Sequence, residues 1–204
     1  MDEGDDSAGA GSGSQGAIRR GAIARWLPLL ALPFAIALAW LLTDRADLAG
    51  VMHDDGVYRS MARSIEHGLG PVDDHLVPDA RGARFPAFHP LLLALERSLV
   101  GAARDSTDGV RRLIAANALW LGVALALFLQ LTARRGWPWW LALSGAALAF
   151  TSPLPIGLAQ TLMSESLFTT LLLAALLALE RFDERPSRGR SLAAGLLIGL
   201  LPAC

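Results

Sequence analysis

The sequence predicts an all-α integral membrane protein: a polytopic helical bundle whose first extracytoplasmic loop carries short interfacial helices. Three observations lead there. Hydrophobic residues make up 53% of the 204-residue chain and gather in long uncharged runs, more than a soluble domain of this size would carry. Arginine clusters separate the runs. Trp26, Trp40, Trp137, Trp139 and Trp140 stand near run ends, where indole rings anchor helices at a membrane–water interface. The formal net charge is −1, and all 18 basic residues are Arg, scattered along the chain. Bulk charge therefore names no partner. Without a basic stripe interleaved with aromatics, no nucleic acid is expected as one. Cys204 is the only cysteine, which excludes an internal disulfide.

The elements follow in order. Residues 1–18, rich in Gly, Ser, Ala and acids, have too little to bury and read as a disordered cytoplasmic tail. Arg19, Arg20 and Arg25 precede an uncharged run at 26–43, about 27 Å of helix and enough to cross the hydrocarbon layer. It is long for a signal-peptide core and lacks a small-x-small cleavage site before Asp44, so it reads as a retained helix. Pro28 falls in its first turn, and Pro33 is expected to kink it.

Residues 44–112 form a polar outer loop with 11 acids and nine Arg. Within it, Phe88–Val100 is apolar but only 13 residues long and carries Glu96 and Arg97. It is too short and too charged to span, and reads as a helix lying on the outer interface. Further helices are expected at 113–133, 138–152, 165–180 and 191–204. Pro153 and Pro155 break the third run, and Ile156–Ser164 reads as a turn. The last run has 14 residues, about 21 Å, short of a span. The expectation is the front part of a longer protein, a truncated form.

With these helices the short Arg-bearing segments, Arg19/Arg20/Arg25, Arg134/Arg135 and Arg181–Arg190, all fall on one side. The positive-inside rule makes that side cytoplasmic, giving a multi-pass plasma-membrane protein with a cytoplasmic N-terminus. The long loop's own Arg residues do not count against this, because loops beyond about 60 residues escape the rule.

The chemistry-bearing residues then gather outside. After the first helix comes HDDGVYRSMARSIEHGLG, His53 to Gly70. Val57, Met61, Ile65 and Leu69 recur every fourth residue, one face of a short amphipathic helix with Gly68 and Gly70 as stops. Asp54 and Asp55 stand at its start. Either can be a plain N-cap, or one carboxylate can serve as a general base towards an acceptor hydroxyl. Glu165, in TLMSESLF, opens a later helix on the same side. Either Ser164 or Glu165 caps that helix, or Glu165 faces the Asp pair across the outer surface. In the second case Asp55 and Glu165 are candidate ligands for a divalent metal, since hard cations favour oxygen. Arg84 and His89 flank an apolar Phe-Pro step and are candidates for contact with an anionic headgroup, against a snorkelling Arg and a solvated His. The four histidines show no metal-ligand spacing. Arg59 lies four residues after Asp55, in ion-pairing register.

The order of these features resembles the GT-C membrane glycosyltransferases, in particular the family that includes protein O-mannosyltransferases and aminoarabinose lipid A transferases (glycosyltransferase family 39-like). The resemblance rests on HDDGVYRSMARSIEHGLG, then FPAFHPLLLALERSLVG, then Arg111-Arg112 before a crossing, then SESLFTTLLLAALLALERF and SLAAGLLIGL. It covers residues 25–200, so 19–204 would be the N-terminal part of a GT-C-like transmembrane domain. It implies a polyprenyl-phosphate-linked sugar as donor, membrane lipid as surroundings and transfer to an acceptor at the outer face. It also implies Asp54 as catalytic base, Asp55 where many members have Glu, and Glu165 as the acid opening the fourth helix. Tyr58, Arg84 and His89 are then substrate-binding candidates. The family's further helices and loops have no counterpart here. The alternative is a non-catalytic membrane protein: an inactive fragment, a scaffold or part of a transporter. Transport is disfavoured because the acids sit at one rim rather than in mid-span.

Overall fold

The structure, a computed structural model, describes residues 27–43, 53–72, 86–101, 106–162 and 164–204. The tail 1–18, Arg84 and the side chains of residues 53–55 lie outside the described residues. The described residues are helical, with no strand among them. The helices are α1 (Ala31–Thr43), α2 (His53–Glu66), α3 (Phe88–Val100), α4 (Thr107–Arg134), α5 (Trp139–Phe150), α6 (Pro153–Gln160), α7 (Glu165–Glu184) and α8 (Arg188–Leu200). Among the described residues one helix, α4, is by itself long and apolar enough to cross a membrane; α5 and α6 together also qualify, as a pair bent by 52°.

α4 is the central post. Ser106 caps it, its Oγ accepting from the Gly109 amide at 3.1 Å, and Asp108 adds negative charge where the helix dipole is positive. This cap starts the helix at Thr107 rather than at the expected residue 113. The exposed Arg111 and Arg112 are good helix formers that an apolarity count excludes. Twenty-eight residues make about 42 Å of helix. α1 packs along it most extensively and α7 next. At Gly122 a side chain would collide with the Cβ of Ala35 on α1, so glycine lets the two backbones approach closely.

The prolines act differently from expectation. A 3-10 turn, Leu27–Leu30, leads into α1, which places Pro33 at the third residue of the α-helix. Amides in the first turn of an α-helix have no partner within it, so Pro33 is tolerated there. Likewise Pro153 and Pro155 do not merely end α5. They start α6, where a turn was expected, because proline's fixed φ suits a first helical turn.

α7 and α4 run side by side in the same direction. Thr170 Oγ1 donates to the Trp120 carbonyl at 2.8 Å, and Arg134 Nη2 to Glu184 Oε1 at 2.5 Å. Arg135 Nε reaches Glu180 at 2.7 Å, joining the same network. These pairings carry α7 to Glu184, past the expected end at residue 180. α8 begins at Arg188, three residues before its expected start. Ser187 caps it, its Oγ accepting from the Arg190 amide at 3.4 Å.

Candidate functional site

α2 and α3 pack against each other, and α3 also rests on α4. The amphipathic pattern explains most of α2. Val57 and Met61 are buried, and Ile65 packs against the core. Leu69 breaks the series: it lies beyond the helix end and is 67% exposed. The end is a Schellman turn. The Leu69 amide donates to the Ser64 carbonyl and the Gly68 amide to Ile65, both at 2.9 Å, with Gly68 at φ 76°. That left-handed conformation favours glycine.

α3 keeps the bounds expected of it, but its charges are not surface decoration. Arg97 is fully buried, its Nε 2.8 Å from Glu66 Oε1 at the end of α2. Glu96 accepts from Trp120 Nε1 of α4 at 3.1 Å. Burial pushes the Glu96 carboxyl above its usual range, and the indole hydrogen bond pulls it partly back. The opposite face shows Leu91, Leu95 and Leu99, four residues apart and all exposed, an apolar stripe suited to an interface. Neither Glu66 nor Arg97 was singled out from sequence as a pair. They lie 31 residues apart, and nothing local joins them.

This α2–α3 unit delivers two side chains to the start of α7. Tyr58 is buried, and its Oη lies 3.4 Å from Ser164 Oγ. His89 is buried as well, its ring edge-on to Tyr58 with centroids 4.9 Å apart. His89 Nε2 lies 2.9 Å from the Leu162 carbonyl. A carbonyl only accepts, so Nε2 carries the proton and Nδ1 keeps its lone pair. That Nδ1 is buried and has no hydrogen-bond partner. Burial lowers the His89 pKa, and the Leu162 bond acts weakly the other way, so the ring is neutral at pH 7. The expectation of a solvated His89 is thus overturned: the ring closes the joint between α3 and the α6–α7 turn.

Leu162 itself has φ 54° although it is not glycine, and it is 1% exposed. A left-handed leucine carries strain of order 1 kcal/mol. Here it aims the carbonyl that fixes the histidine tautomer. Sequence gave no signal for this residue.

Ser164 occupies the N-cap position of α7, yet its side chain makes no capping bond. Its hydroxyl is turned to Tyr58 instead. The plain capping account of Ser164 therefore does not hold. Glu165, the first residue of α7, is half-buried, and its Oε2 is buried with no hydrogen-bond partner. An unpartnered buried carboxylate oxygen is a demanding feature, and such atoms call for a functional account.

α2 begins at His53, so Asp54 and Asp55 occupy its second and third positions rather than the N-cap. Residue 54 precedes Tyr58 by one helical turn, on the same face. Tyr58 is the residue of α2 that reaches Ser164, and the Asp side chains lie outside the described residues. Among the described residues no group of three or more His, Cys, Asp or Glu is arranged to hold a metal ion. Of the expected metal ligands, the described residues supply Glu165 alone.

The two ends of α7 differ in kind. Its start holds the Tyr58, His89 and Glu165 cluster. Its end, about 30 Å away over twenty residues, holds the Arg134, Arg135, Glu180 and Glu184 network.

Comparison of the chain with models of protein families, with curated proteins and with solved structures finds no match.

Proposed function

We propose that this chain is a multi-pass protein of the plasma membrane that transfers a sugar from a polyprenyl-phosphate donor to an acceptor at the outer face. The observation that carries the proposal is the 3.4 Å approach of Tyr58 Oη to Ser164 Oγ. It joins the helix that opens with Asp54 and Asp55 to the residue beside Glu165, across 106 positions of chain. That approach supports the reading, because the resemblance to GT-C glycosyltransferases implies catalytic acids on these two segments.

Sidedness supports the same reading. The Arg-rich end of α7 belongs to the cytoplasm by the positive-inside rule, so the acidic end faces outward. There the acids meet a lipid-linked donor at the level of its phosphate.

In the proposed reaction Asp54 takes the proton from an acceptor hydroxyl. The freed oxygen attacks the anomeric carbon and forms the new C–O bond. The bond from that carbon to the lipid phosphate breaks, and the phosphate leaves with the electron pair. Glu165, with its unpartnered oxygen, holds a hydroxyl of the sugar or acceptor. His89 and Tyr58 set the wall behind it. A divalent cation bound through Asp55 and Glu165 would add charge compensation at the phosphate, and the open oxygen of Glu165 suits such a hard ion.

The test is Asp54→Asn in proteoliposomes supplied with a labelled polyprenyl-phosphate sugar. Loss of a general base predicts transfer slowed by about 10²–10⁴-fold with membrane insertion unchanged. Wild-type rates in the variant would remove the proposal's chemical basis.

A further inference from the structure

The opposite end of the bundle carries an unspent charge pattern. Arg134 and Arg135 are tied to Glu180 and Glu184. Arg190 is also engaged. Its Nη1 donates to the carbonyls of Arg181 and Arg185, at 2.8 and 2.9 Å, and so closes the end of α7, where backbone acceptors lack helical partners. Arg181, Arg185 and Arg188 are exposed, and their guanidinium groups make no hydrogen bond or ion pair among the described residues. One exposed acid of this end, Asp183, stands outside the network. Positive charge therefore dominates the surface that remains.

Aromatic and apolar surface lies at the same end of the bundle, where Arg135 pairs with Glu180 of α7. The link after Arg135 leads directly into Trp137, Trp139 and Trp140, which are 45%, 54% and 57% exposed. On α8, Leu192 and Leu196 follow Arg188 at four-residue steps and are 64% and 60% exposed. One helix face thus passes from a guanidinium at its start to leucines below. A solvated protein surface gains nothing from this order. A bilayer edge does: phosphates lie at the arginine level, indoles at the interface and leucines among acyl chains.

We infer that Arg181, Arg185 and Arg188, at the same end of the bundle as the exposed Trp137, Trp139 and Trp140, form a binding surface for the phosphate headgroups of anionic phospholipids. This rests on the membrane reading above but not on sugar transfer. A free phosphate would satisfy the arginines but would leave the indoles and leucines unused, which favours the lipid.

The test compares tryptophan quenching by brominated phosphatidylglycerol and brominated phosphatidylcholine in vesicles holding the whole protein. The expected preference for the anionic lipid is about fivefold or more, the scale of one arginine at an anionic surface. The variant Arg181→Gln/Arg185→Gln/Arg188→Gln should fall to near parity while keeping its helical circular dichroism. The control Arg111→Gln/Arg112→Gln, at the other end of α4, should keep the preference. Inorganic phosphate, against chloride at equal ionic strength, should not displace the lipid. Equal quenching by both lipids in the parent protein overturns the inference. So does a preference that survives the triple substitution, that is lost equally in the control, or that free phosphate abolishes. A chain that cannot be reconstituted into vesicles overturns it too. Sugar transfer enters none of these measurements, so failure of that proposal is read separately.

Discussion

Tyr58 and Ser164, 106 positions apart in the chain, meet at 3.4 Å, and this contact joins the α2–α3 unit to the start of α7. The bond is long, so its energy is modest. Tyr58→Phe keeps the ring against His89 and removes only the hydroxyl; a cost of about 0.5–1.5 kcal/mol is expected in denaturant unfolding in detergent. Tyr58→Ala also discards the buried ring and should cost about 3–5 kcal/mol. Equal losses in the two variants would show that the ring contributes nothing to the joint.

The buried Arg97–Glu66 pair gives a sharper contrast. Arg97→Met takes the guanidinium away from the buried Glu66 carboxylate, and should cost about 3–5 kcal/mol. Arg97→Met/Glu66→Leu removes both charges and should recover most of that loss. A double-mutant cycle in which the double variant is as unstable as the single one contradicts this account.

His89 sets a pH dependence whose sign is fixed by its depressed pKa. The folded protein holds the ring neutral, while the unfolded chain takes up a proton near pH 6.5. Below that pH the unfolded state binds more protons, so stability is full above it and falls on acidification, by at most about 1.4 kcal/mol per pH unit. Glu96 acts in the opposite sense. Its raised pKa means the folded state binds the extra proton above pH 4.5, so its contribution falls as pH rises through that window. His89→Gln keeps a donor for the Leu162 carbonyl and should flatten the loss below pH 6.5; Glu96→Gln should steepen it. Thermal unfolding against pH reads both slopes.

At Gly122 the close contact of α1 and α4 leaves no room for a methyl group. Gly122→Ala should cost about 1–3 kcal/mol by overpacking, although alanine is the better helix former. Gly157→Ala, on α6 with open space around it, should be neutral or stabilising. Melting temperatures of the two variants give the comparison directly.

What the sequence reveals and what it hides follow from the range of the interactions. The α3 bounds, the α2 stop at Gly68 and the buried Val57–Met61 face were readable, because they depend on neighbours within about five residues. The α4 start was misplaced because Ser106 and its following charges signal a helix by capping rather than by apolarity. The prolines misled because the same residue that breaks a helix interior begins one well. The site was half legible. Asp54, Asp55 and Glu165 stand out as acids beside apolar runs, and Tyr58 came only with the family resemblance. The strained Leu162 and the Glu66–Arg97 pair depend on contacts that no local pattern encodes. The burial of His89 is not legible either, because a lone histidine in a polar loop carries no mark that separates a buried ring from a solvated one.

The matched spacing of Trp120 with Thr170 and of Arg134 with Glu184 has a mechanical consequence. Two helices pinned at separated levels in one register resist both sliding and swivelling against each other. Relative movement at the joint is then left to α2 and α3, which the Arg97–Glu66 pair holds to each other.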